Sequence, residues 1–145
     1  SAKLDSEILL CFVMNKPATF ILTWPEHKLT TPQTEQFLAL MQRRLQGEPI
    51  AYIVNMREFW SLPLQVSPAT LIPRPDTEVL VELVLNHHQD KVLRCLDLGT
   101  GTGAIALALA SEKPQWQIEA VDYSHDAVAL AKSNADNVQV TQVTM

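Results

Sequence analysis

The sequence predicts an α/β chain: a small helical domain over residues 1–47, a β-hairpin linker over 48–72, and the first half of a doubly wound parallel sheet over 73–145. Three observations predict it. Apolar residues recur at helical spacing up to Leu45 and then alternate with polar ones around Asn55 and Met56. After Pro73, strand and helix patterns alternate, as parallel sheets with crossover helices require. A glycine-rich turn, Gly99 to Gly103, joins the first of those strands to the next helix. The length of 145 residues suits one medium domain, or a small one plus part of another, and 47% hydrophobic with 19% charged residues is a globular composition.

Each element has its own warrant. Leu4, Ile8, Leu9, Phe12 and Val13 make residues 3–14 a helix, with Pro17 beyond its end. Phe20, Ile21, Leu22 and Trp24 form a short apolar cluster stopped by Pro25. Thr31–Pro32 starts a helix, the hydroxyl at the cap and the proline in the first turn. Phe37, Leu38, Met41 and Leu45 give it an apolar face, and Gly47 ends it. Ile50, Tyr52 and Val54, then Phe59, Trp60, Leu62, Leu64 and Val66, alternate and predict two short strands, with Pro63 and Pro68 confining parts of them to edges. Thr77 to His88 is a helix, Val92 to Leu98 a buried strand, and an Ala/Leu-rich helix runs to about Lys113. Gln117 to Asp122 is a second strand, Ser124 to Asn137 a helix, and a third strand is expected to begin at Val138.

Several classes of protein are excluded early. The longest unbroken apolar runs, such as Ile8–Met14 and Ala104–Ala110, fall far short of the roughly 18 residues of a membrane span. No secretory leader is expected. Cys11 and Cys95 lie inside apolar runs, as thiols do in a reducing, cytoplasmic compartment. The four histidines show no metal-ligand spacing. Residues 1–72 carry six Lys/Arg and six Asp/Glu, and residues 73–145 carry five and ten. The acidic second half argues against direct nucleic-acid binding.

The chemistry concentrates at Asp97-Leu98-Gly99-Thr100-Gly101-Thr102-Gly103, which ends a strand and opens a helix. Glycines there allow a sharp turn and close approach of backbone to a ligand, and the free amides of the helix start face it. The spacing is neither the G-x-G-x-x-G of dinucleotide binders nor a phosphate loop, since no lysine follows. Asp122 ends the next strand, where a carboxylate can accept hydrogen bonds from both hydroxyls of a ribose. Gly99, Thr100, Gly101, Thr102, Gly103 and Asp122 are therefore the expected cofactor-binding residues. Glycine turn and acidic strand end together are the pattern of S-adenosylmethionine binding in α/β methyltransferases. That molecule carries an ammonium and a sulfonium, which suits an acidic neighbour such as Asp97.

Two further stretches admit two readings each. In Leu71 to Glu78, either Asp76 or Thr77 caps a helix with Glu78 in its first turn, or Arg74, held between Pro73 and Pro75, is aimed into a site. In Arg57-Glu58-Phe59-Trp60, either an aromatic packs between modules or the stretch is a contact surface.

Asp5 to Leu10, Gly47 to Ile50, Arg57 to Leu64, Pro68 to Glu78 and Asp97 to Ala110 together resemble the protein-(glutamine-N5) methyltransferases of peptide chain release factors, the HemK/PrmC family. The resemblance implies a helical domain that helps dock the release factor, a hairpin linker and a Rossmann-like catalytic domain that uses S-adenosylmethionine. The methyl acceptor it implies is the side-chain amide of the glutamine in a Gly-Gly-Gln motif. It also implies that the glycine turn lines the cofactor, that Asp122 holds its ribose, and that Arg74 to Glu78 lie near the site entrance. The family's Asn-Pro-Pro-Tyr motif, which grips the acceptor amide, is absent from these 145 residues. An amide nitrogen is a poor nucleophile, and positioning contributes up to about 7–11 kcal/mol to such reactions. The expectation is a fragment that binds cofactor weakly, transfers nothing and is poorly stable alone.

Other classes remain as alternatives. A nucleic-acid adenine-N6 methyltransferase shares the pattern but expects a basic surface. A dinucleotide-dependent oxidoreductase expects different glycine spacing. A non-catalytic adaptor that binds release factors through residues 1–72 needs no cofactor at all.

Overall fold

The computed structural model describes residues 1–145, which divide into two compact units, Ser1–Val54 and Asn55–Met145. The first is helical. Helix α1 (Ala2–Met14) is capped by Ser1, and Asn15 ends it in the left-handed region, its N–H bonding the Cys11 and Phe12 carbonyls. Helix α2 (Ala18–Thr23) takes up the apolar cluster before Pro25. Helix α3 (Thr31–Leu45) begins one residue earlier than its Thr-Pro pair suggests. Thr30 is the cap, because the reciprocal bonds of a capping box need Gln33 three residues on. Leu9, Val13, Leu40 and Ile53 form the core of the unit. Asp5 accepts from Arg44 Nε at 2.8 Å and ties α1 to α3.

Residues 50–54 are not a strand. They form helix α4 (Ile50–Val54), which buries Ala51 and Ile53. The alternation of Ile50, Tyr52 and Val54 reflects only its short length. The amides of Tyr52 and Ile53 bond the Pro49 carbonyl, and Asn55 at φ 54° stops the turn.

The second unit opens with the expected hairpin. Strands β1 (Met56–Phe59) and β2 (Leu62–Gln65) pair antiparallel, with Glu58 opposite Pro63. Trp60 and Ser61 between them have φ of 52° and 58°, the mirror-image turn that matches strand twist. Phe59 is buried in the core of this unit, while the indole of Trp60 donates to Glu112 Oε1 at 2.8 Å.

A single 3-10 turn, Pro75–Thr77, leads into α5 (Glu78–His87). Neither Asp76 nor Thr77 caps α5 through its side chain, because the chain enters the helix already in helical conformation. The Glu78 carboxylate accepts from the Trp60 amide instead, at 2.8 Å.

Strands β3 (Arg94–Leu98), β4 (Gln117–Val121) and β5 (Val143–Thr144) form a parallel sheet in that order, with Leu98 opposite Val121. The third strand begins later than Val138. Val138 caps α7 (His125–Asn137), and Gln139 turns at φ 59°, extending the helix end before the chain reaches the sheet. Helix α6 (Ala104–Glu112) packs on β4 and β5, α5 packs on α6, and α7 packs on β2. Ile118 and Ala120 face this core, and Trp116 is buried beside it with its indole donating to the Lys91 carbonyl at 2.7 Å. The other sheet face leaves Leu96, Leu98 and Val121 exposed. No helix is long and apolar enough to cross a membrane.

Candidate functional site

The carboxyl ends of β3 and β4 meet at the glycine turn. The amides of Gly99 and Thr100 both donate to the Val121 carbonyl, at 2.9 and 3.0 Å, so the turn is laced to the neighbouring strand. Thr100 Oγ1 donates to Asp97 Oδ2 at 2.7 Å, and the Gly103 amide closes the turn onto the Thr100 carbonyl at 2.9 Å. Above it lies a cavity of about 420 Å³. The glycine turn and Asp97 form one side of its lining, and Ala69 to Arg74 contribute another part.

Five of the six expected residues line that cavity: Gly99, Thr100, Gly101, Thr102 and Asp122. Gly103 does not. It caps α6 at φ 83°, and a Cβ there would come within 3.2 Å of Leu107 and 3.3 Å of Ala131. Gly103 is thus required by helix packing. At Gly99 a Cβ would meet nothing within 4 Å, and at Gly101 only Thr70 at 3.9 Å, so the space before these two is open. No side chain caps the first turn of α6, whose Ala104 and Ile105 also line the cavity.

Asp122 has a double role in the local backbone. Its Oδ1 accepts the Ser124 amide and its Oδ2 accepts the Gly101 amide, each at 2.9 Å. The Ser124 amide first, then those of Gly101 and Tyr123, hold its carboxyl below the ordinary aspartate range. A carboxylate has about four lone-pair sites, so these amides leave it with acceptor capacity at the cavity wall.

Arg74, in extended conformation, lines the cavity, and Leu71, Ile72, Pro73 and Thr77 line it too. Glu78 faces the hairpin turn instead. One residue that sequence reasoning missed is Asn134 of α7. It is wholly buried, and its Nδ2 donates to the Thr102 carbonyl at 2.9 Å. The trace of it in the sequence is an amide on the same helical face as Ala127, Ala131 and Ala135.

Two family models match the chain: the PrmC N-terminal domain over residues 1–54, and the methyltransferase small domain over 75–145. Over residues 1–54 the chain belongs to the PrmC N-terminal domain family. The first match ends where the helical unit ends, at Val54. The chain is 59% identical to the release factor glutamine methyltransferase of Aliivibrio fischeri over 93% of this chain and 48% of that protein. It is 57% identical to that of Shewanella oneidensis, over 99% of this chain and 50% of the relative. With the Escherichia coli protein of the same name the identity is 56%, over 99% and 52%. The chain thus spans about half the length of the curated relatives it matches.

Proposed function

We propose that the protein to which this chain belongs methylates the glutamine side-chain amide of peptide chain release factors, and that the second unit holds the methyl donor, S-adenosylmethionine. The acceptor is taken from the relatives, which are named release factor glutamine methyltransferases. The donor site is argued from this chain's own residues.

The observation that carries the reading is the Asp122 carboxylate beside the Gly101 amide. Its remaining acceptor capacity suits the hydroxyls of a ribose. An aspartate is ionised and a pure acceptor at neutral pH, and the donated amides hold this one below the ordinary range. The open space before Gly99 and Gly101 admits a ligand against bare backbone. Asp97, fixed by Thr100, adds negative charge to a cavity that is to take a cationic donor. When bound, S-adenosylmethionine supplies an electrophilic methyl group on its sulfonium. Orienting the acceptor amide falls to the part of the relatives that this chain does not span. The helical unit, matched by the PrmC N-terminal domain, is assigned to docking the release factor.

Calorimetric titration with S-adenosylhomocysteine tests the donor site. The native chain is expected to bind, Asp122→Ala to bind at least about tenfold more weakly, and NADH not to compete. Equal binding by Asp122→Ala and the native chain would remove the basis of the reading.

A further inference from the structure

We infer that Asn134 is a positioning residue of the donor site, a buried clamp that holds two parts of the cavity lining in register. The inference rests on the nucleoside reading above and deepens it. Asn134 is 0% exposed, in the middle of α7. Its Oδ1 accepts the Gln65 amide at 2.7 Å. Its Nδ2 donates to the Gln65 carbonyl at 3.0 Å and to the Thr102 carbonyl at 2.9 Å. Both amide protons are thereby used, and only a carboxamide offers two donors and an acceptor at one point.

The partners explain why an amide is placed where its neighbours Ala127, Ala131 and Ala135 are alanine. Filling the space needs no polar group, and burying one costs free energy unless its bonds are made. Thr102 follows Gly101, the residue that receives the ligand's side of the turn. Gln65 ends β2, from which the chain runs directly to Ala69–Arg74 on the cavity lining. Ser133 Oγ adds a second tie, donating to Gln65 Oε1 at 3.1 Å. One side chain therefore bonds both the glycine turn and the strand leading to the other part of the lining. Without it, each would keep its own element but lose its fixed separation from the other.

The test compares Asn134→Leu, which keeps the volume, and Asn134→Asp, which keeps the shape, with Ile118→Val as a core control away from the cavity. Amide hydrogen exchange is first measured without ligand. In both Asn134 variants the Gly101 and Gly103 amides are expected to exchange at least about tenfold faster, while Ile118→Val leaves them unchanged. Binding of S-adenosylhomocysteine is then measured at a temperature where circular dichroism shows every variant folded. Both Asn134 variants are expected to lose at least about tenfold in affinity, and Ile118→Val to keep the native value. Asn134→Asp should regain affinity as pH falls, because a protonated carboxyl again donates to a carbonyl. A side chain that only stabilised the core would lower the melting temperature and leave affinity and glycine exchange as they are; that result overturns the inference. Should Asn134→Leu not fold, Asn134→Asp decides it on the same readouts. If the native chain binds no S-adenosylhomocysteine, the nucleoside reading fails, and unchanged glycine exchange would sink the clamp separately.

Discussion

Gly99, Gly101 and Gly103 all take left-handed backbone, at φ 75°, 56° and 83°, but a methyl group would meet different surroundings at each. At Gly99 it meets open space, so alanine there adds only backbone strain, about 1–2 kcal/mol. At Gly103 it also presses on Leu107 and Ala131. Gly103→Ala is therefore expected to lower the urea midpoint further than Gly99→Ala, while Gly99→Ala costs more in S-adenosylhomocysteine affinity relative to its stability loss. Parallel urea titrations and calorimetry check the crossover. The Asp122 carboxylate sets a second expectation at this scale. Its folded pKa is depressed, so what it contributes to stability, and on the proposed donor site would contribute to ribose binding, is present above the ordinary aspartate range and is lost as pH falls through the folded value. Its contribution to donor affinity should thus be flat around neutrality and fall away only in acid. In Asp122→Asn that acid dependence should vanish. These residues were legible in the sequence because their signal is local: glycines beside an aspartate, and an acid at a strand end. Asn134 was not, because its partners Gln65 and Thr102 lie far away in sequence and only the folded chain brings them together.

Short elements show where pattern reading stops. Helices α1, α3 and α7 each present several turns, and their spacing could be read directly. Helix α4 has five residues, too few for a period, so alternation there imitated a strand. The hairpin was legible from its apolar alternation, but its turn was not. Trp60 and Ser61 both sit at positive φ without a glycine, held by bonds from Trp60 to Glu78 and Glu112. Ser61→Gly should therefore stabilise the second unit by about 1 kcal/mol, read as a higher thermal midpoint. An unchanged or lower midpoint would mean that the turn is not strained. In the helical unit, Thr30→Ala removes the hydroxyl half of the α3 capping box and is expected to cost about 1 kcal/mol in a denaturant titration.

Across the molecule, the change of hydrophobic period and the charge balance place the expected boundaries at residues 47 and 72, whereas the compact units are Ser1–Val54 and Asn55–Met145. The end of the helical unit at Val54 was not legible, since α4 reads as strand until Ile53 is seen packed with Leu9, Val13 and Leu40. The sheet buries one face under α6 and exposes Leu96, Leu98 and Val121 on the other, with β3 at an edge. An apolar patch beside the open edge of a strand invites association. Leu98→Lys is expected to shift this 145-residue chain towards monomer in sedimentation velocity; an unaltered distribution would show that the patch plays no part. The three tryptophans give the two units separate optical reporters. Trp24 in the helical unit is 62% exposed, whereas Trp116 in the α/β unit is 1% exposed. Acrylamide should quench the emission of the first readily and spare the second, so a Trp60→Phe background lets the melting of each half be watched in its own colour.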